Sequence, residues 1–170
     1  FKIQDNEGER SSGWLTPDRI FTTPEFQKRY DAVKISLLTP KVALIPEQFF
    51  NPMELRQMLG DVVRLGENDA VEFVRMPERA SVLVFSNNVG ETLSRMISQT
   101  VFTTDGYQAR ILPEMYYILE ALDKCSDYNK IVASYADGYL HLAVAQGKSL
   151  QIANTFRAVD FTTAEYFIFN

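Results

Sequence analysis

Residues 129–170 read NKIVASYADGYLHLAVAQGKSLQIANTFRAVDFTTAEYFIFN, and the punctuation of this stretch decides the fold. Ile131–Tyr135 is a short apolar run stopped by Ala136-Asp137-Gly138. From Tyr139 to Ala145, Leu140, Leu142 and Val144 alternate with Tyr139, His141 and Ala143. Gln146-Gly147-Lys148 turns the chain, and Leu150, Ile152 and Asn154 alternate with Gln151 and Ala153 on the way back. Asp-Gly, or a Gly between two alternating runs, signals a hairpin because Gly reaches the positive φ that tight turns require. The stretch is therefore expected to be a three-stranded meander. Thr162-Thr163-Ala164-Glu165 then has the spacing of a capping box, with Phe161 and Tyr166 placed to staple the entry of a helix.

Upstream, the pattern alternates between helix and strand. Phe1–Gln4 reads as the tail of a strand, and Asp5–Gly13 as a polar loop followed by a packing anchor, Trp14. Thr16-Pro17 and Thr23-Pro24 each suit a helix start, because Thr caps and Pro at the first helical position loses no hydrogen bond. Phe26 and Tyr30 would share a face. Val33, Ile35 and Leu37 form a strand that Thr39-Pro40-Lys41 turns into Val42–Ile45, so a hairpin is expected there. Asn51-Pro52-Met53-Glu54 is a second capping box before a helix with Leu55, Met58 and Leu59 buried. Val71, Phe73 and Arg75 lead to Pro77, and Ala80–Phe85 is apolar enough for a strand covered on both faces. A helix beginning at Asn87-Asn88 would bury Val89, Leu93, Met96 and Ile97, and one opened by Pro113 would carry Tyr116, Tyr117, Leu119 and Leu122. Hairpins separated by helices specify an α/β architecture with mixed sheets.

Composition narrows the function classes. The 170 residues are 46% hydrophobic with a formal net charge of -5, which disfavours a general electrostatic grip on nucleic acid or anionic lipid. Cys125 and His141 are the only residues of their kinds, so neither a disulfide framework nor a zinc site of several imidazoles or thiolates can be built. This cysteine usage favours a reducing, cytoplasmic setting. No apolar run is long enough to span a bilayer. The starting Phe1 and the helix interrupted at Asn170 suggest a segment of a longer protein.

Candidate chemistry is thin. Asp137-Gly138 could hold a phosphate or metal at a strand turn, but reads more simply as a hairpin. His141 faces opposite to Leu140 and Leu142, in a structural or solvent-facing role. Glu67, Asp69 and Glu72 lie close together and are read as a solvated loop and strand edge, because acid–base pairs need a cleft that separates their pKa values. Glu114 and Glu120 belong to a polar helix face. The tyrosines Tyr116, Tyr117, Tyr128, Tyr135 and Tyr139 point to core packing or a protein interface, since base stacking would come with basic residues. Cys125, beside Lys124, is read as structural. No Gly-rich nucleotide cradle is present.

Two stretches carry a family resemblance. Tyr30-Asp31-Ala32-Val33-Lys34-Ile35 with Lys41–Phe50, and Tyr139–Val144 with Gly147–Leu150 and Asn154-Thr155-Phe156, resemble an uncharacterised bacterial family, domain of unknown function 3822, with a degenerate actin-like ATPase fold. The resemblance covers most of Thr16 to Asn170. It implies an actin-like (ribonuclease H-like) α/β fold, incomplete at both ends. Residues 1–112 would belong to the first lobe and 113–170 to the start of the second. In active members of that fold the meander's first turn is a phosphate loop, which here would be Ser134-Tyr135-Ala136-Asp137-Gly138-Tyr139-Leu140. Asp137 and Gly138 keep the position, but Tyr139 and Leu140 stand where small or hydroxyl residues are expected, and bulk prevents close backbone approach to phosphate. The expectation is a non-catalytic cytoplasmic scaffold with a protein partner or self-association and no cofactor. A nucleotide-dependent ATPase using ATP and magnesium, and a small-ligand-binding α/β domain, are the alternatives.

Overall fold

The apolar run after Ala80 forms the central strand of the first sheet, and its chemistry explains why. Ser81–Ser86 (β4) has all six residues buried, so it needs a neighbour on each edge and cover on each face. Val42–Pro46 (β2) pairs antiparallel on one edge and Val71–Met76 (β3) on the other, giving the order β2-β4-β3. The computed structural model describes residues 21–101, 103–106 and 109–169, apart from the side chains of residues 91 and 92. The expectations for Phe1–Gln4, Asp5–Gly13, Trp14 and Thr16-Pro17 lie outside the described residues.

Alternation along β4 sorts its side chains between two clusters. Val82 and Val84 join Leu59 beneath Leu55–Gly60 (α1), while Leu83 and Phe85 join a larger core with Met115, Ile118, Leu119 and Leu122. Those last four sit on Glu114–Lys124 (α3) at spacings of three and four residues, which makes one continuous face. Met115 and Ile118 thus carry more of the packing than Tyr116 and Tyr117, which stay half-buried edge to face at 5.4 Å.

The meander forms as expected from Asn129–Ala136 (β6), Tyr139–Gln146 (β7) and Ser149–Arg157 (β8), in the order β6-β7-β8. β7 is central and covered on both sides. Ala143 and Ala145 face the α3 core, whereas Leu140 and Leu142 face Ala164 and Phe167 of Phe161–Phe169 (α4). The alternation expected on β8 is broken: Val144 pairs with Ile152 but Ala145 with Leu150, so Gln151 is an extra, bulged residue. Leu150 turns into the α3 core with Ala153, and Ile152 takes the other face.

Five further expectations are corrected. Ile35–Leu37 (β1) pairs with Ile111–Pro113 (β5) and not with β2, so 33–45 is no hairpin. The turn at Thr39 exists, with its N–H donating to Leu37 O at 2.9 Å, but β2 is committed to β4. Thr23-Pro24 opens a pair of turns rather than a helix, and Phe26 meets Phe21 edge-on at 5.3 Å while Tyr30 stays exposed. Asn51 Oδ1 accepts from Met53 N at 3.0 Å, a local turn that delays α1 to Leu55. Glu91–Thr100 (α2) begins after Gly90, not at Asn87-Asn88, and buries Leu93 and Ile97. At α4, Asp160 is the cap, its Oδ1 accepting from Thr163 N at 2.7 Å, two residues before the Thr162 box. That hydrogen bond holds the Asp160 carboxyl below the usual range.

The chain divides into two compact units that are not consecutive in sequence. Among the described residues, one comprises 21–35, 89–101, 103–106 and 109–111, the other 36–88 and 112–169. Both sheets of three strands, α1, α3 and α4 belong to the second unit. Among the described residues, no helix is long and apolar enough to cross a membrane.

Candidate functional site

The Asp137-Gly138 turn is a two-residue hairpin. Asp137 has φ 56° and Gly138 φ 76°, and the flanking Ala136 and Tyr139 already pair in the ladder. Positive φ at both central positions is the requirement of a type I′ turn, which Asp-Gly meets at low cost. Space is not what demands the glycine: a Cβ there would come no closer than 3.7 Å, to Ala158 O. Gly138 O accepts from Ala158 N at 2.8 Å, and Tyr135 Oη donates to Ala158 O at 3.2 Å. This end of the meander is thereby tied to the segment that enters α4.

The other sequence candidates scatter. His141 is 1% exposed, with its Nδ1 hydrogen-bonded to Thr155 Oγ1 at 3.1 Å. Burial pushes its imidazole below the usual pKa, opposed by the charge of Glu114. Its role is structural. Asp69 is not solvated, contrary to expectation. Its side chain is 6% exposed, with Oδ2 accepting from Lys41 Nζ at 2.6 Å and Gly66 N at 2.8 Å, and Oδ1 from Asn88 Nδ2 at 2.7 Å. The Lys41 hydrogen bond leads the causes that hold its pKa down to about 2. Arg56 completes the knot by donating to Asp69 O at 2.8 Å and Gly66 O at 2.6 Å. Glu72 lies apart and accepts from Asn87 Nδ2 at 2.8 Å. The tyrosines divide too: Tyr135 meets Phe161 on the α4 side at 6.0 Å, and Tyr128 is exposed. Cys125 caps α3, with Sγ 3.5 Å from Ala121 O.

A site that sequence reading missed lies at the opposite end of β7, eight residues long, about 23 Å from Asp137-Gly138 at the usual rise per residue. Between the β2-β4-β3 sheet and the meander the second unit encloses an open cavity of about 790 Å³. Leu44 and Leu150 give it an apolar floor, backed by the buried Leu122 and Ala145, and the bulge at Gln151 is what aims Leu150 there. Charged groups ring it: Arg79, Lys130 and Lys148 against Glu78 and Asp123. Arg79 Nε and Nη2 donate to the two Asp123 carboxylate oxygens at 3.2 and 2.6 Å, and its side chain is 10% exposed. Ala80, at φ 45°, turns the chain from that arginine into β4. The next residue, Ser81, shares the strand face of Leu83 and also lines the cavity.

Comparison with known proteins matches this architecture. A crystal structure from Bacteroides thetaiotaomicron, of a protein with actin-like ATPase fold and unknown function, superposes with a TM-score of 0.67 at 15% identity. The superposition covers 89% of this chain and 58% of that one, so the chain spans well under two thirds of its structural neighbour. At that identity the likeness establishes the fold: mixed α/β, actin-like. No curated protein matches the chain. The model of the DUF3822 family, proteins of unknown function, matches residues 16–170, and the chain belongs to that family.

Proposed function

We propose that the chain is a non-catalytic member of the actin-like class that works through contacts with other proteins. The supporting observation is the Asp137-Gly138 turn. A phosphate cradle needs several successive backbone N–H groups aimed at one point. A two-residue hairpin whose neighbours are committed to the ladder offers two such positions at most, followed at once by the bulk of Tyr139. ATP and magnesium fit this turn poorly. A role in protein contacts draws support from Phe161, Tyr166 and Phe169, which stand 61%, 62% and 81% exposed on α4. Calorimetry of the purified protein with ATP and magnesium tests the reading. No saturable heat is expected; micromolar binding lost in Asp137→Ala would overturn it.

A further inference from the structure

We propose that the cavity between the two sheets of the second unit binds a small organic acid, with an apolar body on the leucine floor and its anionic head between Lys130 and Lys148. The site is remote from the Asp137-Gly138 turn, so it stands or falls independently of nucleotide binding.

Four observations converge on it. The volume, about 790 Å³, lies in the range of small-molecule sites. Its floor is aliphatic, which suits a hydrocarbon body and carries no hydrogen-bonding information. In a chain of net charge -5, the charged lining sums to three cations against two carboxylates, a local excess of one positive charge. Asp123 is engaged by Arg79, and among the described residues neither Lys130 nor Lys148 has an ion-pair partner. With Arg79 and Asp123 paired, two lysines on adjacent parts of the meander, one in β6 and one in the β7–β8 turn, stand against the single carboxylate of Glu78.

Buried polar groups add direction. Ser81 is 6% exposed, and its Oγ is the buried side-chain atom without a hydrogen-bond partner among the described residues. Such atoms are few in native proteins, and this one lies sealed behind the cavity lining. Arg79, nearly buried beside it, spends Nε and Nη2 on Asp123 and, among the described residues, keeps Nη1 without a hydrogen bond. The spare guanidinium donor on the sheet side and the two ammonium groups on the meander side line the same cavity. Donors from both walls suit an acceptor-only head such as a carboxylate.

The test uses sodium octanoate, octan-1-ol and inorganic phosphate as probes in calorimetry on the purified protein. Octanoate should bind saturably at one site, with octanol and phosphate each at least about tenfold weaker, because each lacks half of the recognised chemistry. Lys130→Gln with Lys148→Gln should weaken octanoate about tenfold, the worth of two partly exposed charge contacts, with an unchanged melting profile. Phe161→Ser with Phe169→Ser should leave binding unchanged, because those residues are on the other face of the meander. Absence of saturable octanoate binding would overturn the proposal. So would octanol binding as tightly, or affinity that follows the phenylalanines and ignores the lysines.

Discussion

Leu150 and Ile152 are two positions apart on one strand, yet they pack on opposite faces of the meander, paired with Ala145 and Val144 respectively. The extra residue is Gln151. Because side chains alternate with a period of two, one inserted residue moves everything beyond it to the other face. Here that shift delivers Leu150 to the α3 core and to the cavity floor, while Ile152 remains 43% exposed.

The two leucine-sized side chains should therefore respond differently to truncation. Leu150→Ala removes contacts with a packed core and is expected to cost about 1.5–3 kcal/mol, whereas Ile152→Ala should cost about 1 kcal/mol or less. Their effects should add, since the two side chains lie on opposite faces of the sheet. Urea unfolding of the two single variants and the double variant measures this. Equal costs would mean that the strand alternates without a bulge.

Asp69 makes stability dependent on acid. Its carboxyl titrates near 2 in the folded chain against 3.8 without its partners, so the native state resists protonation that the unfolded state accepts. The sign follows: the contribution is complete above the ordinary carboxylate range and is lost as pH falls through about 4 towards 2, with an upper size of roughly 2 kcal/mol. Asp69→Asn should be less stable than wild type at pH 6, and most of the gap should close by pH 2. Denaturant midpoints across that window provide the measurement, and a constant gap would remove the carboxylate from the account.

How far the sequence anticipates these relationships depends on how local their causes are. β4, the meander and α3 are legible because their side chains follow periods of 2 or 3.6 within one element. The partner of β1 is not, since β5 lies far along the chain and pairing between distant strands leaves no mark in either. The cap of α4 is misplaced by the sequence reading for a related reason: Thr162 has the spacing of a capping box, but the cap is settled by which oxygen reaches a backbone N–H, and that oxygen is Asp160 Oδ1. Asp69 was misread because its partners Lys41 and Asn88 come from other elements. The cavity was invisible for the same reason. Its lining comes from β2, the turn before β4, the end of α3 and the meander, and Arg79 and Asp123 are 44 residues apart.

His141 predicts a second pH effect, with the reverse charge change. Burial holds its pKa below 6.5, so below that pH the unfolded chain binds a proton that the folded chain refuses. Its neutral form supports folding fully above 6.5, and that support drains as the medium is acidified. Glu114, the charged group acting on it, opposes the shift without reversing it. His141→Gln keeps a polar partner for Thr155 Oγ1 and should cost about 1 kcal/mol at pH 7.5. The difference from wild type should narrow towards pH 5, as the wild type alone loses stability to protonation. Thermal unfolding at several pH values reads the narrowing; parallel profiles would show that the imidazole does not titrate between the two states.

Gly147 holds the turn that presents Lys148, and two separate effects act against any side chain there. Its φ is 56°, in the left-handed region, and a Cβ would lie 3.2 Å from Tyr128 Cε2. The backbone effect should dominate. Tyr128 is 71% exposed, so its ring can move a few tenths of an ångström into solvent, whereas the left-handed conformation is fixed by the paired strands on either side. Gly147→Ala is expected to destabilise by about 1–2 kcal/mol. Made in a Tyr128→Ser background, the same change should recover only a few tenths of that cost, as a double-mutant cycle in urea would show. Recovery of most of the cost would mean that the tyrosine ring, and not the turn's backbone, is what requires the glycine.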